Sequence, residues 1–331
     1  MKRLKISGLL LFLSSAAFAA SSGDRSDYVR PLTIPFPEDA PYHPQIATLG
    51  KMIFFDPRVS GAQNMSCASC HNPSFGWETP VETAVGGMNT SLPRHAPTVL
   101  NGAWMPHFFW DGRAHSLEEQ AAGPITADVE MNATFEQVVS RLSEVDEYAH
   151  WFAQLFPQEG MTRETILTAI ATYERTVVSG WAPFDDWVDG NESAISESAK
   201  RGFALFTGKA GCADCHTGWN FTDNAFHDIG LATEDEGRIT LDPGNEMARF
   251  AFKTPGLRNI ALRAPYMHAG QIPDLFSVIA HYASGGEDRP SRSPMMRQVE
   301  LEDQEYEDLI AFMNSLTERQ TLLPTPILPA N

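Results

Sequence analysis

The sequence predicts a mainly α protein made of two small helical domains, each wrapped by long loops. Three observations predict it. The motif C-x-x-C-H occurs twice, as "CASCH" at residues 67–71 and "CADCH" at 212–216. Each motif follows a segment in which a glycine precedes a phenylalanine by four residues: Gly50 and Phe54, then Gly202 and Phe206, the mark of an internal repeat. Each half closes on an amphipathic stretch. Ile166, Ile170, Tyr173 and Val177 recur at helical spacing in the first; Tyr306, Leu309, Ile310 and Met313 do so in the second.

The chain begins "MKRLKISGLLLFLSSAAFAA". Lys2, Arg3 and Lys5 precede a short apolar run, and Ala17-Phe18-Ala19 is an A-x-A cleavage site, so residues 1–19 read as a secretory signal peptide. The first domain is expected over 20–185 and the second over 186–325, with the turn-rich "SGWAPFDDWVDGNES" near their boundary. Pro- and Gly-containing stretches at 72–106 and 217–265 are the expected wrapping loops. Loops of that length are uncommon unless functional.

Composition narrows the function. With 42 acidic and 24 basic residues, the formal charge is −18, which argues against nucleic-acid binding and leaves no polybasic membrane patch. No segment after the signal is long and apolar enough for a bilayer. The expectation is an exported, periplasmic protein without membrane insertion, whose acidic surface serves solubility or a basic redox partner.

All four cysteines lie inside the two motifs, so none is left for a disulfide. C-x-x-C-H is the attachment signature of c-type haem: two thiols one turn apart bond the porphyrin vinyl groups, and the next histidine faces the iron. A thioredoxin-like pair, or one zinc held by all four thiols, would not call for a histidine after each pair. The expected cofactors are therefore two covalently bound haem c groups. Cys67 and Cys70 attach the first, Cys212 and Cys215 the second, and His71 and His216 are the proximal ligands.

With those residues in place, the chain resembles the bacterial dihaem cytochrome c peroxidases and their MauG-type relatives. The carriers are "RHAPTVLNG", "FFWDGRAHSLEEQAAGPITADVEM", "CADCHTGWNFTDNAFHDIG" and "FKTPGLRNIALRAPYMHAG", besides the haem motifs. The resemblance implies two cytochrome-c-like haem domains. It implies that hydrogen peroxide reacts at the His71 haem while the His216 haem stores electrons or oxidising equivalents. It places Trp110 between the haems, and Gln120, Glu130 and Pro124 on the open side of the first. Those types suit the chemistry. A carboxylate can carry a proton between the peroxide oxygens, and an amide can orient them.

Counting past "PYMHAG" in the family's register reaches Tyr282 as sixth ligand of the second iron, as in the tyrosine-ligated branch, MauG-like or MbnH-like. His281, Met267, Met295 and Met296 stand as alternatives. The choice matters, because a phenolate is a hard anionic donor that favours oxidised iron, whereas a thioether favours reduced iron.

Three departures qualify the resemblance. Gly87 and Met88 stand where many of the peroxidases carry a histidine that blocks the resting first haem, so an open first iron is expected. His95 replaces an asparagine that helps bind calcium in the family, and an imidazole beside an arginine disfavours the ion, although the backbone carbonyls of Arg263 and Pro265 with water could still hold it. Ala210 replaces a surface tryptophan that MauG uses toward its partner, which argues against the methylamine dehydrogenase precursor, and the short spacing from His216 to Tyr282 resembles the compact MbnH-like branch, which implies a copper-associated partner protein. Trp104 and Trp219 could be exit points for the oxidant, with packing the favoured reading of each. His107 and His115 read as surface or propionate-contacting residues.

The expected function is a periplasmic dihaem oxidoreductase that reacts with peroxide and oxidises a partner protein at tryptophan. The alternatives are a peroxidase fed by a small cytochrome c and a non-enzymatic dihaem electron carrier.

Overall fold

The computed structural model describes residues 25–319 and 324–330. The proposed signal segment lies outside the described residues.

The first half contains α1 (Pro44–Phe55), α2 (Cys67–Cys70), α3 (Leu117–Thr126), α4 (Phe135–Ser143), α5 (Asp146–Leu155) and α6 (Arg163–Arg175). The second contains α7 (Pro183–Val188), α8 (Glu197–Thr207), α9 (Leu275–Ser284) and α10 (Asp303–Ser315). One antiparallel pair, β1 (Phe226–His227) with β2 (Phe252–Lys253), lies in the second long loop. The mainly α, two-domain expectation holds, and each half has its own core. No helix among the described residues is long and apolar enough to cross a membrane.

The glycine–phenylalanine pattern turns out to be a helix crossing made twice. In the first half α1 lies on α6, and a Cβ on Gly50 would sit 1.8 Å from the Ala169 carbonyl oxygen. In the second, α8 lies on α10, and a Cβ on Gly202 would sit 1.9 Å from the Asp308 carbonyl oxygen. Only glycine lets the backbones come so near. Phe54 then packs edge-on against Tyr173 at 5.4 Å, and Phe206 packs on Phe312 at 5.0 Å. Burying rings such as these contributes roughly 1.5–3 kcal/mol apiece.

The loops repeat as well, in backbone more than in sequence. Asn101 and Asn259 both adopt the left-handed conformation, with φ 61° and 59°, which asparagine tolerates better than most residues. Each precedes a single 3₁₀ turn. The Asn101 N–H donates to Val177, just past α6, at 2.9 Å, and the Asn259 N–H to Leu316, just past α10, at 3.2 Å. Further along, Ser116 caps α3 by accepting from the Glu119 N–H, and Asp274 caps α9 by accepting from the Ser277 N–H. Thus α3 and α9 are equivalent elements of the two halves.

The halves also interlock. The His95 N–H donates to the His268 carbonyl at 2.8 Å, and the Lys253 N–H donates to the Trp110 carbonyl at 2.7 Å. Both chain ends cross over. Tyr28 packs among Phe184, Phe203 and Phe221 of the second core, while Leu328 packs against the first core. The two cores therefore do not correspond to two independent lengths of chain.

Candidate functional site

Each C-x-x-C-H forms one tight turn, in which the histidine N–H donates to the carbonyl of the first cysteine at 2.9 Å: His71 to Cys67 and His216 to Cys212. The turn presents both thiols and the imidazole to one cavity. Cys67, Cys70 and His71 line a first cavity of about 910 Å³. Cys212, Cys215 and His216 line a second, narrower one of about 170 Å³. The pairs being in separate cavities, a single zinc site built from all four thiols is ruled out.

The residues fit haem c. All four cysteines are free of disulfides. Burial pushes the Cys70 thiol up to about 11 and the Cys212 thiol to about 12, which disfavours thiolate metal ligation. Burial also lowers both imidazoles, His71 and His216, toward the neutral form able to bind iron. The His216 Nδ1 meets the Phe221 carbonyl at 3.0 Å, which leaves Nε2 for a metal. The His71 Nδ1 is buried with no hydrogen-bond partner.

The cavities differ in the side chains that line them beyond these motifs. Gln120 and Pro124, from α3, and Glu130, from the turn after it, line the first. Burial raises Glu130 above the ordinary carboxylate range, against a smaller lowering by Arg113. The loop carrying Gly87 and Met88 stays outside. Gly87 donates its N–H to the Glu130 carbonyl at 2.7 Å, Gly86 abuts Val129 so tightly that a Cβ would lie 1.8 Å from its carbonyl oxygen, and Met88 is 62% exposed. His107 does line the first cavity, its Nδ1 lying 3.1 Å from that of His115.

Tyr282, on α9, lines the second cavity, as do Met267, Met295 and Met296. Burial, followed by the nearby Cys215 and Cys212, pushes the Tyr282 phenol upward. His281 turns elsewhere: its Nε2 meets the Ile229 carbonyl at 3.0 Å. Counted from the caps of the equivalent helices, Pro124 and Tyr282 occupy the same position, eight residues after Ser116 and Asp274 respectively.

Trp110 lines both cavities. Its indole N–H donates to the His95 carbonyl at 2.9 Å. His95, Lys253 and Arg263 share this wall. Buried Glu78 accepts from the Arg263 Nε at 3.0 Å and lies 3.3 Å from the His95 Nε2. Despite the cost of its burial, the Arg263 guanidinium and His95 hold its carboxyl below the usual range. Trp104 and Trp219 pack together, with centroids 4.9 Å apart, and line neither cavity.

Among the described residues, one cluster of three could ligate a metal through side chains: Cys215, Asp223 and His227. Haem attachment consumes its cysteine. Sequence reasoning missed two buried groups. Glu174 lines the first cavity, and its Oε2 has no partner; burial and Glu118 push it up to about 8. The other is Lys253, a lone cation in the apolar run "FAFKTPGL", which was its signal.

The family model for di-haem cytochrome c peroxidase matches residues 44–193, and that for cytochrome c matches 199–317. The methylamine utilization protein MauG of Methylorubrum extorquens is 48% identical over 326 residues, covering 96% of this chain and 92% of that protein. The chain belongs to the dihaem cytochrome c peroxidase and MauG family. Another member, the cytochrome c551 peroxidase of Nitrosomonas europaea, is 36% identical, covering 97% of this chain and 93% of that protein. A solved structure of a MauG-like protein associated with microbial copper homeostasis superposes with a TM-score of 0.82 at 29% identity, covering 88% of this chain and 94% of that one.

This family member is therefore a haem peroxidase-type oxidoreductase carrying two covalent c-type haems. Membership sets aside the expectation of a passive electron carrier.

Proposed function

We propose that the protein is a periplasmic, MauG-type dihaem oxidoreductase that reduces hydrogen peroxide at the His71 haem and draws the two electrons from tryptophan of a partner protein. The observation that carries this reading is the shared position of Pro124 and Tyr282 on equivalent helices. Proline has no side-chain donor for iron, so α3 leaves the first site open. A phenol at the matching point of α9 closes the second.

The haem irons, when bound, supply the electron transfer to peroxide and hold the oxidising equivalents. The chain supplies the rest. Glu130, once ionised, takes the proton from one peroxide oxygen and returns it to the other, while the Gln120 amide orients the molecule. Two protons and two electrons convert the peroxide to two waters. Tyr282 provides a hard anionic donor that favours oxidised iron. Trp110, held by its bond to His95 between the cavities, provides an oxidisable ring on the route from one to the other.

Identity favours a partner from methylamine utilisation. The MauG of M. extorquens stands at 48%, against 29% for the copper-associated relative. Against it stand Ala210, which lines the second cavity, and the short spacing from His216 to Tyr282. The test is to add one equivalent of peroxide to holoprotein with and without the candidate partner and follow the partner's tryptophans by mass spectrometry. Partner oxidation together with slow turnover of reduced cytochrome c is expected. Fast cytochrome c turnover and an unmodified partner would support the second reading, a cytochrome c peroxidase. Met295 and Met296 in the second cavity wall are what favour that reading.

A further inference from the structure

Among the described residues four cationic side chains are buried: Arg175, Lys253, Arg258 and Arg263. Three of them have a carboxylate. Arg175 reaches Glu118 at 2.8 Å, Arg258 reaches Asp185 at 2.7 Å and Arg263 reaches Glu78 at 2.9 Å. Lys253 is 9% exposed and forms no ion pair with any described residue. Its Nζ contact is the Met105 Sδ, at 4.0 Å.

Its counterpart in the first half makes the contrast plain. Lys253 and His95 each stand two residues before a proline, Pro255 and Pro97. Each also sends its backbone N–H across to the other half. His95 is satisfied, with Nδ1 on the Glu82 carbonyl at 2.9 Å and Nε2 toward Glu78. Lys253 is not. The acid whose charge it feels, Asp223, is already held by His227 at 2.8 Å. Burial and the nearby Arg263 push the ammonium down to about 8.

Leaving a buried ammonium without a counter-charge is expensive. Lys253 lines both cavities, so the missing anion belongs to something that enters them. Haem c brings one, because its porphyrin carries carboxylate side groups. We propose that Lys253 is a cation shared by the two haem sites, which pairs with porphyrin carboxylate and raises the reduction potentials of both irons. The sign follows from charge: a nearby positive group favours the less positive, reduced iron. The inference needs both haems loaded and does not depend on which side chain closes the second iron or what the partner is.

The test is spectroelectrochemical titration of the purified holoprotein, unaltered and as Lys253→Met and Lys253→Arg. Both midpoint potentials are expected to fall together in Lys253→Met and to stay near the unaltered values in Lys253→Arg, a rescue that packing alone would not produce. A Lys253→Met protein in which neither potential moves, or only one does, overturns the proposal. Should Lys253→Met fail to load haem, a crystal structure of the unaltered holoprotein decides. Nζ within about 4 Å of a porphyrin carboxylate oxygen supports the shared cation; Nζ farther from all of them contradicts it.

Discussion

Helices α3 and α9 are the same element used for opposite ends. Both begin at a capped turn after a left-handed asparagine and a 3₁₀ turn, and each lines the cavity that a C-x-x-C-H histidine also lines. At the matching position one carries Pro124 and the other Tyr282. The first cavity is also the roomier, at about 910 Å³ against 170 Å³. One scaffold built twice thus presents a proline to the first cavity and a phenol to the second. Under the proposed function, that one position separates an open site from a closed one.

The largest effect expected from disturbing this contrast is at Tyr282. Tyr282→Phe keeps the ring and removes the donor atom, so the oxidising equivalents left by one addition of peroxide should no longer persist at the second haem. Optical spectra followed over minutes check this, and persistence equal to the unaltered protein's would mean Tyr282 only packs.

Glu130 sharpens the other side of the contrast. Glu130→Gln should slow the reaction with peroxide by about 10²–10⁴-fold, the usual range for a proton-transfer group, as read by stopped flow. Because Glu130 must be ionised to accept a proton and burial raises its pKa, the unaltered rate should fall as pH drops through that raised value. The loss should begin at a higher pH than for an ordinary carboxylate and be absent in Glu130→Gln.

Smaller effects probe what the halves share. Gly50→Ala and Gly202→Ala each force a Cβ onto a carbonyl oxygen. Each should cost about 1–3 kcal/mol through overpacking, measured as a lower urea midpoint. A marked inequality between them would break the claim that the two crossings are equivalent. Least of all should calcium removal matter, since an imidazole, His95, stands where calcium would need an oxygen ligand, and its Nε2 is already turned toward Glu78 at 3.3 Å. Chelator treatment is expected to leave both haem spectra unchanged.

What the sequence made legible follows covalent and steric necessity. Thioether attachment allows only one spacing, so both haem motifs could be read directly, and Gly50 and Gly202 were visible because no other residue fits those crossings. The loop repeat was not visible. "HAPTVLNG" and "KTPGLRNI" share little beyond Pro97 with Pro255 and Asn101 with Asn259, because what repeats is backbone conformation and hydrogen bonding. Tyr282 could be reached only through a family resemblance, whereas the helix caps give it a position by geometry. The crossing of Tyr28 and Leu328 into opposite cores depends on long-range packing that no local pattern carries. Lys253 and Glu174 escaped notice because a lone charge in sequence looks solvated until its burial is seen.

The central claim is that the first iron is open and the second closed by a side chain. Electron paramagnetic resonance of the resting, fully oxidised holoprotein tests it most directly. One high-spin and one low-spin ferric signal in equal amounts is the predicted result; two low-spin signals would contradict it.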